Sequence, residues 1–256
     1  MAQLLGAGVG PANALALDYL NHLRELGRAR ATINRRLAAL RSLVKLARLL
    51  GLVAWSIEVR GEKLKRYRDT RGPGLDGVRR LLAVLERQKG EKAIRDRAIV
   101  RLLFDLALRR GELVGLDLEH LDLAAGTVAV LGKGDSEREL LTLPHETAAA
   151  LRAWLDVRGD APGPLFVNFD RARKGRRLTA TSVYRMVRQL GERAGVRVRP
   201  HGLRHGAITA VLDLNGGDVR AAQRFSRHLD LRTLTLYDDN REDLAGRMAR
   251  LVAAAL

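Results

Sequence analysis

Six side chains between positions 109 and 237 are of types that together could work on a phosphate diester. Arg109 closes an apolar run in LALRRGELVGL and is followed by Glu112; Lys133 lies in GKGDSE. HGLRH supplies His201, Arg204 and His205, and RHLDLRTLTLY supplies His228 and, nine residues on, Tyr237. Each alone has an ordinary explanation: a surface arginine, a turn lysine, a packed tyrosine. Together they meet the needs of one reaction, attack on a phosphodiester by a phenolic oxygen. Two guanidiniums, those of Arg109 and Arg204, present fixed donor forks that match the non-bridging oxygens. The imidazole of His201 is suited to take the phenol proton near neutral pH. Lys133, on a turn, can protonate the departing sugar oxygen, and His228 can donate a hydrogen bond to the phosphate. A phosphotyrosyl ester keeps the energy of the broken linkage, so rejoining the strand needs neither ATP nor metal.

Other chemistries fit less well. A Walker A loop needs Gly at 127 and Ser or Thr at 134, where the chain has Thr127 and Gly134. His201 and His205 stand four apart, but no Glu follows the first and no carboxylate or cysteine set completes a zinc site. With no cysteine in the chain, disulfides and thiol nucleophiles are excluded, which fits a reducing cytoplasm. No metal and no cofactor is expected.

The elements that must position these groups are mostly helical. At 46% apolar residues the 256-residue chain can bury one large core or two smaller ones. A formal net charge of +17 and a pI near 11.2 point to an anionic partner, nucleic acid first. No apolar run approaches the ~18 residues of a spanning helix, and MAQLLGAGVG lacks a basic leader region, so a membrane is not expected. The stretch RYRDTRGPGLDG, Arg66 to Gly77, reads as a joint, which divides the chain into a helical domain over 1–67, a linker over 68–76 and a larger domain over 77–256. Residues 1–71 hold 14 Lys and Arg against 5 Asp and Glu, the denser positive charge. Within them TINRRLAALRSLVKLARLLG has Ile33, Leu37, Leu40, Val44 and Ala47 at helical spacing, with Thr32 as the cap and Gly51 as the stop. Arg41, Lys45 and Arg48 share another face of that helix and, with Arg35 and Arg36, are its candidate DNA contacts. No helix is read ahead of ALALDYLNHLREL. Beyond the joint helical patterns continue, except in GTVAVLGKGDSERELLTL, which reads as two strands, about 127–131 and 138–143, joined by a turn.

These boxes, in this order, resemble those of the tyrosine recombinase, or phage integrase, family, with a Xer-like layout, and the resemblance runs over nearly the whole chain. It implies a mainly α fold with a small β-sheet (α+β): a helical, SAM-like core-binding domain and a tyrosine-recombinase catalytic domain. LRRGEL is similar to the first-arginine box, with Arg109 catalytic and Glu112 its acidic companion; GKGDSER resembles the hairpin that carries the catalytic Lys133. HGLRH matches the H-x-L-R-H box, giving His201 and Arg204 with His205 as a supporting neighbour, and RHLDLRTLTLY gives His228 and the nucleophile Tyr237. The family's glycine ahead of Leu-Arg is Ala107 here, and its usual Leu-Gly ahead of the later histidine is Ser226-Arg227.

The resemblance implies a site-specific recombinase that cleaves and rejoins double-stranded DNA through a 3′-phosphotyrosyl intermediate, as a homo-tetramer on two duplexes. The helical pattern of Leu244, Met248, Leu251, Val252 and Leu256 fits a tail that docks on a neighbouring protomer. Two alternatives stand beside this reading: a type IB topoisomerase-like nicking-closing enzyme, and a non-catalytic DNA-binding protein on the same scaffold.

Overall fold

The computed structural model describes residues 2–63, 72–132, 136–228, 230, 234 and 244–255. The chain divides into two compact units, Met1–Arg68 and Asp69–Leu256. Among the described residues it is mostly helical, with one small antiparallel sheet.

In the first unit α1 (Ala2–Leu5), α2 (Val9–Glu25) and α3 (Arg30–Leu49) form an apolar core. The helices pack because Ala12, Ala16, Leu20 and Leu23 line one face of α2, and Ile33, Leu37, Val44 and Ala47 one face of α3. Three features differ from the sequence reading, the first being α1 itself, a single turn ahead of the segment before which no helix is read. Helix α2 runs back to Val9 through Pro11, which the first turn tolerates because no helical partner needs its missing N–H. Thr32 is not the cap of α3: the helix opens at Arg30 with Ala29 at its N-cap, since Arg30 and Ala31 are good helix formers and extend it upstream. Gly51, at φ +71°, follows the helix as read. The extended segment after it is held by two asparagines, each bonding the backbone twice. Asn13 accepts from the Glu58 amide at 2.8 Å and donates to the Ser56 carbonyl at 3.4 Å; Asn34 accepts from the Glu62 amide at 2.7 Å and donates to its carbonyl at 2.9 Å. Trp55 packs against the edge of this core.

The second unit is built from α4 (Gly74–Arg87), α5 (Glu91–Asp105), α6 (Arg110–Val114), α7 (His145–Arg158), α8 (Ala180–Ala194), α9 (Pro200–Leu214), α10 (Val219–Ser226) and α11 (Leu244–Ala254). Its core holds Leu81, Ile99, Leu102, Leu103, Leu151 and the fully buried Trp154, whose indole N–H donates to the Leu165 carbonyl at 2.8 Å. The sheet has the order β1 (Leu121–Asp122), β2 (Thr127–Leu131), β3 (Arg138–Thr142), and Val128 pairs with Leu141 and Leu131 with Arg138. The hairpin is the one read from the alternation; β1 went unread because two residues carry no period. Helix α4 opens at Gly74, inside the stretch read as a joint. Gly72 lies so close to α9 that a Cβ there would run into the carbonyl of Gly202 and come within 2.8 Å of the Gly206 nitrogen. That approach, at φ +63°, is open to glycine alone and braces the turn of α9 that carries the HGLRH residues.

Candidate active site

Three chain segments meet around two arginines. The first follows α5, where Leu106, Ala107 and Leu108 are buried and lead into Arg109, the N-cap of α6. Ala107 adopts φ +47°, which turns the chain so that its carbonyl faces inward to Arg204. Glu112, at the third position of α6, reaches back to accept the Arg109 amide at 2.7 Å and its guanidinium at 2.5 Å. Burial pushes the Glu112 carboxyl up, but the backbone and side-chain hydrogen bonds from Arg109 and the charge of Arg227 outweigh it, and the carboxyl lies below its ordinary range.

Helix α9 supplies the second segment. Pro200 stands in its first turn, and His201, Arg204 and His205 follow at spacings that keep them on one side. Arg204 is 1% exposed, and such burial of a guanidinium requires partners. It donates to the carbonyls of Ala107 and Ser226 and lies 3.4 Å from Nε2 of His228. His201 is exposed at the helix start, its ring edge-on to His205 with 4.1 Å between centroids. Partial desolvation of the ring by its neighbours, then the Arg204 and Arg109 charges, hold the His201 imidazole below its ordinary value. His205 is lowered to about 4, by burial first and then by His201, Arg204 and His228.

The third segment is the end of α10. Arg227 caps it at φ +54° and its carbonyl accepts from Arg109 Nη2 at 3.1 Å. His228 follows, with Nδ1 2.9 Å from the Ser226 hydroxyl and its carbonyl accepting from Gln223 at 3.0 Å. Burial and then Arg204, Arg109, His201 and Arg227 lower His228 to about 4, so at pH 7 the ring is neutral. Ser226 Oγ stands nearer to His228 than to the Gln223 carbonyl, 2.9 against 3.2 Å. With its hydrogen given to the Gln223 carbonyl, the hydroxyl is free to accept from Nδ1, and Nε2 then faces the guanidinium of Arg204 as an acceptor.

The structure thus brings together Arg109, Glu112, His201, Arg204, His205 and His228. Lys133 and Tyr237 lie outside the described residues. In the first unit Arg35, Arg36, Arg41, Lys45 and Arg48 are exposed on α3; Arg36 donates to the Tyr19 hydroxyl at 2.9 Å and Arg41 to the Val59 carbonyl at 2.5 Å. Of the apolar tail stripe, Val252 is exposed on α11, and the side chains of the others lie outside the described residues. Sequence reasoning passed over Ser226 and Arg227 as contributors. The signal was there, in their departure from the Leu-Gly of the family pattern. Away from this site, Asp117, Glu119 and His120 group their ligand atoms within 4.8 Å, but Asp117 is ion-paired with Arg177 and its amide bonds His120 Nδ1, so the group is engaged in its own turn.

Two carbonyl-anchored arginines and a histidine, in a mainly helical domain that also carries a small hairpin, suit a class of DNA strand-breaking and strand-rejoining enzymes. The phage integrase family model matches residues 75–243, and the chain belongs to that family. It is 41% identical over 249 residues to a tyrosine recombinase of Synechococcus elongatus, covering 95% of this chain and 78% of that protein. A tyrosine recombinase of Synechocystis sp. is 38% identical over 248 residues, covering 95% and 79%. Among solved structures, XerH site-specific recombinase bound to palindromic difH substrate in a post-cleavage complex shares the fold at a TM-score of 0.70 and 19% identity, over 93% of this chain and 71% of that one. The chain is a tyrosine recombinase, and the topoisomerase and non-catalytic readings are not favoured. Among the described residues no helix is long and apolar enough to cross a membrane.

Proposed function

We propose that Tyr237 is the nucleophile and that Arg109, Arg204, His201, His228 and Lys133 serve it at one DNA phosphate. The phenolic oxygen bonds to phosphorus as the bond to the 5′ sugar oxygen breaks, leaving a 3′-phosphotyrosyl ester. His201, held below its ordinary pKa, is neutral at pH 7 and takes the phenol proton. Lys133 gives a proton to the departing 5′ oxygen. The Arg109 and Arg204 guanidiniums hold the non-bridging oxygens, with His228 donating a hydrogen bond to the phosphate. Attack by a 5′ hydroxyl on the ester reverses the sequence and joins the strands, which balances without an added energy source.

One observation carries this reading: Arg204, buried and tied to the Ala107 and Ser226 carbonyls, stands within 3.4 Å of His228, while Arg109 is fixed to the same loops through Glu112 and the Arg227 carbonyl. Two loops far apart in sequence are held to a common pair of cations. The Tn1549 transposon integrase in complex with transposon right end DNA supports DNA as the partner, and we extend the reading to a homo-tetramer on two duplexes, acting in the cytoplasm, with the basic face of α3 against phosphates. The test uses the full chain and a library of nicked duplexes of randomised sequence. Adducts resistant to detergent are recovered and sequenced, and each should carry DNA through its 3′ end on Tyr237. Adducts formed equally by Tyr237→Phe would overturn the assignment. Removing residues 243–256 should spare cleavage and reduce pairing of duplexes in a gel shift; unchanged pairing counts against the tetramer.

A further inference from the structure

Two non-glycine residues take positive φ among the described residues, and both sit at this site: Ala107 at +47° and Arg227 at +54°. Left-handed backbone is unfavourable for a residue with a Cβ, so an arginine kept there calls for something its side chain does. The side chain is not a surface ornament. It is 9% exposed, turns back under the site, and donates to Glu112 Oε2 at 3.0 Å, to the Leu106 carbonyl at 3.0 Å and, more weakly, to the Ala107 carbonyl at 3.4 Å. Its own carbonyl accepts from Arg109 at 3.1 Å. The result is a closed ring: Arg109 donates to Glu112 and to the Arg227 backbone, and Arg227 donates to Glu112. One residue therefore touches the first-arginine segment from both its backbone and its side chain.

We infer that Arg227 is a positioning residue for strand cleavage: its guanidinium fixes Glu112 and the Leu106–Ala107 turn, and through them the aim of Arg109. The inference rests on the reading of Arg109 as a phosphate-holding arginine. A glycine at 227 would take the same backbone without strain and keep its carbonyl on Arg109, yet would leave Glu112 with one cation instead of two. Arg109 would then keep its bonds but lose the rigid carboxylate that orients it. A small misplacement of a group that acts on the reacting phosphate costs rate far more than it costs binding.

The experiment takes the full chain and a nicked duplex of the sequence recovered with the Tyr237 adducts. Single-turnover adduct formation, DNA affinity by gel shift and the thermal midpoint are measured for wild type, Arg227→Gly and Arg227→Asn, the second because asparagine tolerates the same backbone without offering a fork. Both variants should form adduct about 10- to 100-fold more slowly, with affinity within about threefold and the fold retained. In an Arg227→Gly, Glu112→Gln double variant the loss should not exceed about twice that of the slower single one, because both act along one path. Variants that cleave within about twofold of wild type, losses that multiply in the double variant, or a rate loss that only follows weakened DNA binding or unfolding would overturn the proposal. A wild-type chain that forms no adduct sinks the parent reading and this one together, whereas wild-type adducts with an unimpaired Arg227→Gly sink this one alone.

Discussion

Replacing Glu112 by glutamine keeps the shape of the side chain and removes its charge. The carboxylate is 3% exposed and accepts three hydrogen bonds, from the Arg109 amide, the Arg109 guanidinium and the Arg227 guanidinium. An amide oxygen in place of Oε2 retains two of them. The NH2 then faces the Arg109 guanidinium as donor against donor, and two cations lose their shared counter-charge. A lost charge-assisted bond costs about 1.5–3 kcal/mol, and breaking a buried pair about 3–5 kcal/mol. Because the Arg109 side chain is 30% exposed, water compensates part of it, and the lower end, about 3 kcal/mol, applies. For a domain of this size that corresponds to a fall of about 6–12 °C in the melting point of the second unit. Thermal melts at pH 7.5 followed by circular dichroism measure it. The sign of the pH dependence is a second check. Glu112 is held below its ordinary carboxyl range, so its contribution is present above that range and is lost as pH falls through the folded value. The gap between wild type and variant should therefore close in acid. A difference under about 2 °C at pH 7.5, or one that widens on acidification, refutes the argument.

Three further outcomes follow from the geometry. The acid limb of the cleavage rate should have its midpoint below 6.5, because His201 is lowered and must be neutral to accept a proton, and it should vanish in His201→Gln; a midpoint above 6.5 counts against His201 as the base. Arg204→Lys cannot hold both the Ala107 and Ser226 carbonyls while facing the phosphate, so single-turnover adduct formation should fall at least ~100-fold with DNA affinity little changed. Gly191→Ala should destabilise the second unit by about 1–3 kcal/mol in urea melts, since a Cβ there would meet the Val196 carbonyl at 2.5 Å and Val198 Cγ1 at 2.6 Å.

The strands β2 and β3 and the helices carrying Leu37, Leu103 and Trp154 were legible because their apolar residues recur at the period of the element they form. Arg109, His201, Arg204 and His228 were legible by residue type and spacing, and the structure draws all four into one place. What the sequence withheld was local or long-range in kind. The start of α3 was misread because a threonine cap is a preference, and good helix formers upstream overrode it. The twist at Ala107 could not be read, since alanine gives no sign of positive φ. Nor could the bonds from Arg227 to Glu112, 115 positions away, because a buried arginine and an exposed one are spelled alike.

The chain has two tryptophans, and they fall one to each unit. Trp55 is partly exposed at the edge of the first core; Trp154 is sealed in the second. Nature has thus given each unit its own optical label, the buried indole emitting further to the blue. Single-tryptophan forms, Trp55→Phe or Trp154→Phe, would let fluorescence follow each unit separately as DNA is added or denaturant raised, with no dye attached. Trp55→Phe, which keeps Trp154 and its bond to the Leu165 carbonyl, reports on the second unit, and Trp154→Phe, which loses that bond, on the first.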